Sequence, residues 1–306
     1  KWEPDTTPPA IFGLANSTDP IQSKTWTWSA DENATFRHAV NQNATWTFTG
    51  EPFNATNSST PSGVDGTWYL HVQARDTANN TSPVTTVSAL LDNTPPVAEI
   101  HGIPSSPTNS TEASLTINGT DVLLYQWKLD DKTWSNATLV NAGLELADLS
   151  EGQHTLEVIG SDPAGNWQTQ ANATQASWEV DTTPIPPEDV SVPGLPEGPS
   201  PADSATFTVN GTGITHYKYA IDDGNFTEPV AVSETSTVDI GKLTEGPHTI
   251  FIKVRDQAGN WQHVENSFNA TWTKDTTPPL ISGLANSTDP IQSKTWTWSA
   301  DENATF

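Results

Sequence analysis

Cysteine and methionine are absent from this chain of 306 residues, and it has no run of eighteen apolar residues. The absence of cysteine excludes disulfide bonds, thiol catalysis and cysteine-ligated zinc. It also argues against a small secreted animal domain, which usually needs disulfide bonds for stability. The absence of methionine leads us to expect a processed product or a segment of a longer polypeptide. We expect no membrane insertion by this segment, because a helical span needs about 20 apolar residues.

Basic side chains are also scarce: 12 Lys and Arg oppose 37 Asp and Glu, which gives a formal net charge of -25. Such a surface repels the phosphates of nucleic acids and the headgroups of anionic lipids. We therefore expect no nucleic-acid partner. The charge suits solubility, high salt or divalent cations.

The most informative feature present is internal repetition, which indicates an array of similar units. Residues 5–36 recur at 275–306 with only two differences, Ala10 against Leu280 and Phe12 against Ser282. Variants of DTTPP begin at Asp5, Asp92, Asp181 and Asp275, at spacings of 87, 89 and 94 residues. A second signal keeps step with the first, since a Gly-to-Asp distance of ten recurs at Gly66–Asp76, Gly152–Asp162 and Gly246–Asp256.

Within each unit, apolar residues alternate with polar ones, which is typical of half-buried β-strands. Examples are Leu70, Val72 and Ala74 in the first unit, Leu115 and Ile117 in the second, and Phe207 and Val209 in the third. Turn signals such as Asn118-Gly119 separate these stretches, and no helical periodicity of useful length appears. About seven short strands in about ninety residues predict an all-β fold of tandem immunoglobulin-like β-sandwich domains, joined by short Pro-rich linkers.

Four motifs of this text resemble a known class of repeat. They are W-x-x-D-T-T-P-P, Tyr/Trp-x-Leu/Ile-Asp-Asp, Leu-x-Glu-Gly-x-His-Thr and Asp-x-Ala-Gly-Asn. Together they resemble the tandem immunoglobulin-like repeats of prokaryotic cell-surface proteins, such as large adhesins, S-layer-like proteins and surface filaments. The first unit departs from the pattern, because its loop ends in Asn79-Asn80 and Ala89 stands where the others have Trp178 and Trp272.

The repeats predict domain boundaries. We expect the tail of a preceding domain at 1–4, repeat 1 at 5–91, repeat 2 at 92–180, repeat 3 at 181–274, and the first part of a fourth domain at 275–306, here called the terminal segment. Two strands cannot form a stable sandwich alone. Either the segment continues in a longer array with a 270-residue period, or another chain donates the missing strands.

Carboxylates cluster in the loops that should surround each linker. In an immunoglobulin-like domain the first strand starts near the B–C and F–G loops, and the E–F loop of the preceding domain approaches from the other side. Such oxygen-rich junctions suit Ca²⁺, which takes 6 to 8 oxygen ligands. The competing interpretation is that these side chains cap turns by accepting backbone N–H bonds. The residues concerned are Asp5, Asp31, Asp65, Asp76, Asp92, Asp121, Glu151, Asp162, Asp181, Glu245, Asp256 and Asp275.

Other chemistry finds little support, and we expect no enzyme. The adjacent pairs Asp130-Asp131 and Asp222-Asp223 point to opposite faces of a strand and precede turns, so they are poor acid–base partners. His154 and His248 stand where repeat 1 has Trp68, which favours packing over catalysis. Trp167 and Trp261 could bind sugar, although capping the end of a sandwich is the better interpretation.

Asparagine shows the strongest bias. Sixteen of 22 Asn head an N-x-S/T sequon with a non-proline residue between, whereas chance predicts about five or six. Dense sequons without cysteine favour a glycosylated archaeal surface protein. The predicted N-glycan acceptors are Asn16, Asn33, Asn43, Asn54, Asn57, Asn79, Asn80, Asn109, Asn118, Asn136, Asn172, Asn210, Asn225, Asn269, Asn286 and Asn303.

These observations predict a structural role outside the cell, at the cell surface, as a stalk, fibre or coat that packs with copies of itself. The N-linked glycans would cover it and Ca²⁺ would stiffen its junctions. Three alternatives stay open: an adhesin region that binds glycans or other cells, a subunit that polymerises by strand exchange, and an accessory region of a polysaccharide-degrading enzyme.

Overall fold

The computed structural model describes residues 3–284, 286 and 293–301. The chain forms two compact units, Lys1–Val180 and Asp181–Phe306. The described residues form strands joined by turns and irregular loops, with a few short 3-10 helices, and no helix among them is long and apolar enough to cross a membrane. The predicted fold class is confirmed, since each repeat has the strand pairing of an immunoglobulin-like sandwich. The exact boundaries between repeats stay a prediction.

Repeat 1 has one four-stranded sheet of order β2-β8-β7-β5 and two small antiparallel pairs, β1 with β4 and β3 with β6. The long β7 pairs antiparallel with β5 and β8, and β2 joins the edge of β8 in parallel. The strands are β1 Ile11–Phe12, β2 Ser17–Ile21, β3 Trp26–Thr27, β4 Ser29–Ala30, β5 Ala34–Asn41, β6 Ser58–Ser59, β7 Gly66–Asp76 and β8 Thr85–Leu91.

The core of repeat 1 follows from the predicted alternation along β7. Leu70, Val72 and Ala74 are fully buried. They pack with Trp26 and Trp28, which are 2% and 3% exposed, in one hydrophobic cluster. Burying side chains of this size contributes about 1.5–3 kcal/mol each. The two tryptophans are therefore a large share of what holds this repeat together without disulfides.

Repeat 2 shows the two sheets most clearly, with strand orders β13-β10-β9 and β12-β11-β14-β15. These correspond to the A-B-E and C′-C-F-G sheets of a sandwich. A cross-strand pair, Lys128 and Glu157, adds an ion pair at 3.0 Å on the outer face. The elements are β9 Glu99–His101, β10 Ala113–Asn118, β11 Leu124–Leu129, β12 Thr138–Leu139, a 3-10 helix at Val140–Ala142, β13 Leu144–Leu146, β14 Gly152–Ser161, a 3-10 helix at Gln170–Asn172 and β15 Thr174–Val180.

Repeat 3 has sheets of order β16-β22-β21-β18-β19 and β17-β20. Its core again alternates, with Ile250, Ile252 and Val254 buried. Val209, which the sequence assigns to a strand, is buried but lies beyond the end of β17. The elements are a 3-10 helix at Pro187–Asp189, β16 Pro199–Ser200, β17 Ser204–Phe207, β18 His216–Ile221, β19 Val230–Ala231, β20 Ser236–Asp239, β21 Gly246–Arg255, a 3-10 helix at Val264–Asn266 and β22 Phe268–Lys274.

The described part of the terminal segment repeats one detail of repeat 1. Its strands β23 (Ile281–Ser282) and β24 (Ser299–Ala300) pair in the register of β1 and β4. The burial differs, however, because Trp296 is 47% exposed whereas its counterpart Trp26 is 2% exposed. The sequence that forms a buried layer in repeat 1 is thus exposed at Trp296.

Candidate functional site

Each F–G loop is closed by one aspartate and one asparagine four residues later. In repeat 2, Asp162 Oδ1 accepts the backbone N–H of Asn166 at 2.9 Å, and Asp162 Oδ2 accepts from Asn166 Nδ2 at 2.8 Å. The same amide nitrogen also donates to the backbone oxygen of Asp92 at 2.9 Å. We call this arrangement the linker anchor, because it ties the first residue of the linker to the domain that the linker enters.

The linker anchor recurs with nearly the same geometry in the other repeats. In repeat 1, Asn80 Nδ2 donates to Asp76 Oδ2 at 2.7 Å and to the backbone oxygen of Asp5 at 3.1 Å. In repeat 3, Asn260 Nδ2 donates to Asp256 Oδ2 at 2.9 Å and to the backbone oxygen of Asp181 at 2.7 Å. Because the same contact occurs in three repeats, it is not a coincidence of one loop.

The linker aspartates make a second, local bond. Each carboxylate accepts the N–H of the residue two positions on, which is an Asx turn and leads the chain into the following prolines. The four bonds run from Thr7 to Asp5, Thr94 to Asp92, Thr183 to Asp181 and Thr277 to Asp275, at 3.0 to 3.1 Å. The turn-capping interpretation therefore accounts for these carboxylates as they stand.

The E–F loop carboxylates hold the linker from the other side. Asp65 accepts the N–H of Asn93 at 2.7 Å and the hydroxyl of Thr94. Hydrogen bonds from that hydroxyl and that N–H lower the pKa of Asp65. Glu245 accepts the N–H and hydroxyl of Thr276 in the same way, and these bonds lower its pKa too. Glu151 lies in the corresponding loop of repeat 2, before β14.

One group of acidic side chains comes close enough to share a cation. Among the described residues, only Asp5, Glu32 and Asp76 bring their carboxylate oxygens within 4.8 Å of one another. Partial desolvation and the nearby charges of Asp5, Asp76 and Asp31 raise the pKa of Glu32. Asp31, the residue that the sequence singles out, instead accepts the N–H of Ala10 at 2.8 Å.

The other predicted calcium ligands form no group of three within this reach in the described part of the chain. Asp121 is exposed, in a turn with a positive φ of 61°. Asp162 and Asp256 are buried and direct their carboxylates to Asn166 and Asn260. Sequence reasoning missed Glu32 and the three asparagines. The signal for the asparagines was present, because an Asn follows each F–G aspartate at a spacing of four.

A second polar arrangement lies near the start of β14 and of β21, at the opposite end of these strands from the linker anchor. His154 Nδ1 lies 2.9 Å from Asp130 Oδ2, and His154 Nε2 lies 2.8 Å from the backbone oxygen of Ser150. His248 makes the same pair of contacts with Asp222 and the oxygen of Thr244, each at 2.8 Å. We call these the histidine clamps. Asp130 and Asp222, expected only to end hairpins, are thus the partners of the histidines.

The histidine clamps explain the departure of repeat 1. His154 faces Trp178 across β14 and β15, and in repeat 1 the same register pairs Trp68 with Ala89. In repeat 1 the indole ring is therefore on the first strand of the pair, in place of the histidine, and alanine replaces the tryptophan of the second strand. Trp68 Nε1 donates to the oxygen of Val64, four residues back, as the histidines do in repeats 2 and 3. His154 and His248 are buried, whereas Trp68 is half-buried.

The sequon asparagines lie at the surface. Every described member is exposed apart from Asn80, which is half-buried, and Asn303 lies outside the described residues. By contrast Asn166 and Asn260, which are 8% and 9% exposed, head no sequon. Trp261, considered as a sugar platform, has the Lys218 ammonium 5.1 Å from its ring centroid.

Comparison with known proteins adds similarities of fold. No protein-family model and no curated protein matches the chain. Among solved structures, the fibronectin(III)-like modules of CbhA from Clostridium thermocellum are 13% identical over 58% of this chain and 94% of theirs, with a TM-score of 0.35. Immunoglobulin domains 1–5 of Sidekick-1 are 12% identical over 88% of this chain and 59% of theirs, with a TM-score of 0.41. SGBP-B of a Bacteroides ovatus mixed-linkage glucan utilization locus is 13% identical over 90% of this chain and 72% of its own, with a TM-score of 0.22.

Proposed function

We propose that this chain is a structural repeat region of an extracellular, N-glycosylated surface filament, stalk or coat, built from copies of one immunoglobulin-like unit. The linker anchor is the observation that carries the proposal. It recurs in all three repeats and serves no evident chemistry apart from fixing the linker. Because every repeat uses one Asp and one Asn to fix its linker, the joints are a built feature of each unit.

The connection between repeats 1 and 2 shows how short the free linker is. Strand β8 ends at Leu91, and the N–H of the next residue, Asp92, donates to the oxygen of Ile21 at 3.0 Å. The oxygen of Asp92 is already bonded to Asn166. The prolines that follow fix φ and remove backbone donors, so this stretch is stiff as well as short. These properties support a spacer role.

The exposed sequons support the glycoprotein part of the proposal. N-glycans need an accessible amide and tolerate only surface positions. Fourteen described sequon asparagines meet that condition. In this proposal the glycans shield the sheet edges and hinder proteolysis.

Calcium at the junctions is part of the same proposal, and Asp5, Glu32 and Asp76 are the best-placed ligands. A cation there would relieve the repulsion among three carboxylates. Adding CaCl₂ should raise the Tm of repeat 1, and EGTA should reverse the rise. A Tm that responds to neither addition, with MgCl₂ as the matched control, would remove calcium from the proposal.

Strand exchange is a second candidate for the terminal segment, and the near identity of its sequence with part of repeat 1 favours it. The same sequence in repeat 1 is buried against β5, β7 and β8. In this proposal the segment pairs with a stretch equivalent to residues 37–91, supplied by the same polypeptide or by another copy. Mixing two isotopically labelled preparations and measuring exchange of subunits by native mass spectrometry separates the two sources.

The decisive experiment for the main proposal is a mass and peptide map of the natively isolated polypeptide. We expect peptides that join further copies of the repeat, with hexose ladders on Asn. A bare mass equal to that of this sequence would contradict the array, and binding on a glycan array would favour an adhesin.

A further inference from the structure

Two sequons overlap in the F–G loop of repeat 1. Asn79 is followed by Asn80 and Thr81, and Asn80 is followed by Thr81 and Ser82, so each asparagine heads its own acceptor motif. Two glycans on neighbouring residues would collide. Three observations indicate that the glycosyltransferase can reach Asn79 but not Asn80.

The first reason is that the amide of Asn80 is fully used. Its two hydrogens are donated to Asp76 Oδ2 and to the backbone oxygen of Asp5, at 2.7 and 3.1 Å. A glycan replaces one of those hydrogens. Glycosylation of Asn80 would therefore break the linker anchor of repeat 1 and force a sugar against a half-buried side chain.

The second reason is that the hydroxyl of the Asn80 sequon is inside the protein. Ser82 is 4% exposed, and its Oγ accepts the N–H of Ala74 at 3.0 Å and donates to the oxygen of Pro83 at 2.8 Å. In repeat 2 the corresponding residue, Gln168, is likewise buried and accepts the N–H of Gly160. The Asn80 sequon is thus built from two positions that the fold uses for its own bonding.

The third reason is that Asn79 is presented outward. It has a φ of 72° and stands where repeats 2 and 3 have Gly165 and Gly259, whose φ values are 88° and 107°. Asparagine is one of the few residues that accept this left-handed conformation. Asn79 and Thr81 are both exposed, and within the described residues the Asn79 side chain makes no hydrogen bond.

We infer that Asn79 carries the glycan of this loop and that Asn80 stays unmodified as part of the linker anchor. The inference rests on the proposed glycosylation and selects one acceptor within it. In the transfer, Asn79 Nδ2 bonds to C1 of a sugar donor that is activated as a phosphate or diphosphate ester. The bond from C1 to the phosphate oxygen breaks, its electron pair leaves with the phosphate or diphosphate ester, and the proton lost by the amide passes to that leaving group or to water.

The test is a glycopeptide map of the whole polypeptide from its own host, for the natural sequence and two variants. Thr81→Ala destroys the Asn79 sequon and leaves Asn80-Ala-Ser intact. Asn79→Gly removes the acceptor and supplies the residue that repeats 2 and 3 use. We expect one glycan on the loop, at Asn79, and none on the loop in either variant.

The outcomes separate this inference from the broader proposal. A glycan on Asn80, in the natural sequence or in Thr81→Ala, overturns the inference, and so does an empty loop beside occupied sequons elsewhere. A polypeptide with no glycan on any sequon overturns the glycoprotein proposal and the inference together.

A second measurement uses bare protein from a host without glycosylation. Asn80→Gln should lower the Tm, because its longer side chain cannot keep both bonds of the anchor. Asn79→Gly should leave the Tm nearly unchanged. Equal behaviour of the two variants would contradict the division of roles.

Discussion

At the scale of single residues, the histidine clamps set a charge state. Both ring nitrogens of His154 and of His248 face oxygens that can only accept, so two N–H donors satisfy the site and the protonated ring fits it best. Burial lowers the pKa of His154, but the hydrogen bonds to Ser150 and Asp130 raise it by more, so the net shift is upward. For His248 the bond to Thr244 is the main cause of a raised pKa, with the bond to Asp222 second.

The clamps predict a pH dependence of stability. A raised histidine pKa contributes stability that is fully present below the unfolded value of about 6.5 and is lost as the pH rises through the folded pKa. Burial would raise the pKa of Asp130 and Asp222, but their hydrogen bonds lower it by more. The stability that these two carboxylates contribute is therefore present above the unfolded value of about pH 3.9 and is lost in stronger acid. The clamps should stabilise most between about pH 4 and 6.5.

The measurement is the Tm from pH 3 to 9 for the natural chain and for the double variant His154→Gln, His248→Gln. The Lys132 ammonium opposes the charge of His154, and Trp178 and Trp272 pack on the two rings. His38 and His71, whose pKa is lowered by burial, have the opposite sign and are common to both proteins. A difference in Tm that does not shrink from pH 6 to 9 would contradict the clamp.

A second prediction at this scale concerns the linker anchor. Asn166→Ala removes the amide that joins Asp162 to the oxygen of Asp92. We expect a loss of about 1.5–3 kcal/mol in the free energy of unfolding, the range for hydrogen bonds that involve a charged group. Urea denaturation gives the value, and Asn141→Ala, an exposed asparagine of the same repeat, is the matched control. Equal midpoints for the two variants would show that the anchor contributes no stability.

At the scale of elements, the E–F loop and the linker act as one piece. Asp65 and Glu245 bind the threonine that follows the linker aspartate by one or two residues, from the loop before β7 and the loop before β21. Their exposure keeps each contact weak by itself. Position is what these bonds supply, since they orient the first turn of the linker.

Asp65→Ala should therefore act on local order more than on the Tm. The amide of Asn93, whose N–H Asp65 accepts, should exchange its hydrogen faster, because that N–H becomes open to water. Hydrogen-exchange NMR measures the rate, and Asp131→Ala is a control on another exposed loop. Since hydrogen bonds from Thr94 and Asn93 lower the pKa of Asp65, protection in the natural chain should persist to a lower pH than an ordinary aspartate would allow, and fail in stronger acid. Unchanged exchange at Asn93 would mean that the contact does not order the linker.

The elements were more predictable than the site. Alternation of Leu70, Val72 and Ala74 identified β7 without knowledge of the fold, because a half-buried strand leaves that mark in the sequence. Only the aspartate of the linker anchor was predicted, as a residue that binds metal or caps a turn, and its asparagine partner was missed. The role of Asn80 depends on a carbonyl 75 residues away, and no local pattern records such a contact. The sequence analysis named Asp31, but it is Glu32 that lies beside Asp5 and Asp76. Neighbouring residues point in different directions, and spacing alone cannot choose between them.

At the scale of the whole molecule, the charge of -25 is the dominant property. Like charges in a compact state repel one another. At 0.1 M salt the repulsion between charges more than about 10 Å apart is largely screened. We expect the Tm to rise between 10 mM and 500 mM NaCl, as scanning calorimetry can show. Sucrose gives a control for general stabilisation. A Tm that falls with NaCl would mean that attractive ion pairs outweigh repulsion in this chain.

The linker anchor has a consequence for how such a protein can change over generations. The N–H of Asp92 belongs to the bonding of repeat 1, and its oxygen belongs to the bonding of repeat 2. Every group that makes the joint lies inside the roughly ninety-residue copy on one side or the other. A duplication that inserts a further copy therefore brings its own complete joint, and no neighbouring residue must be altered to receive it. Gene recombination could lengthen such a polypeptide in whole units, and the near identity of 5–36 and 275–306 is the trace that a late event of this kind would leave.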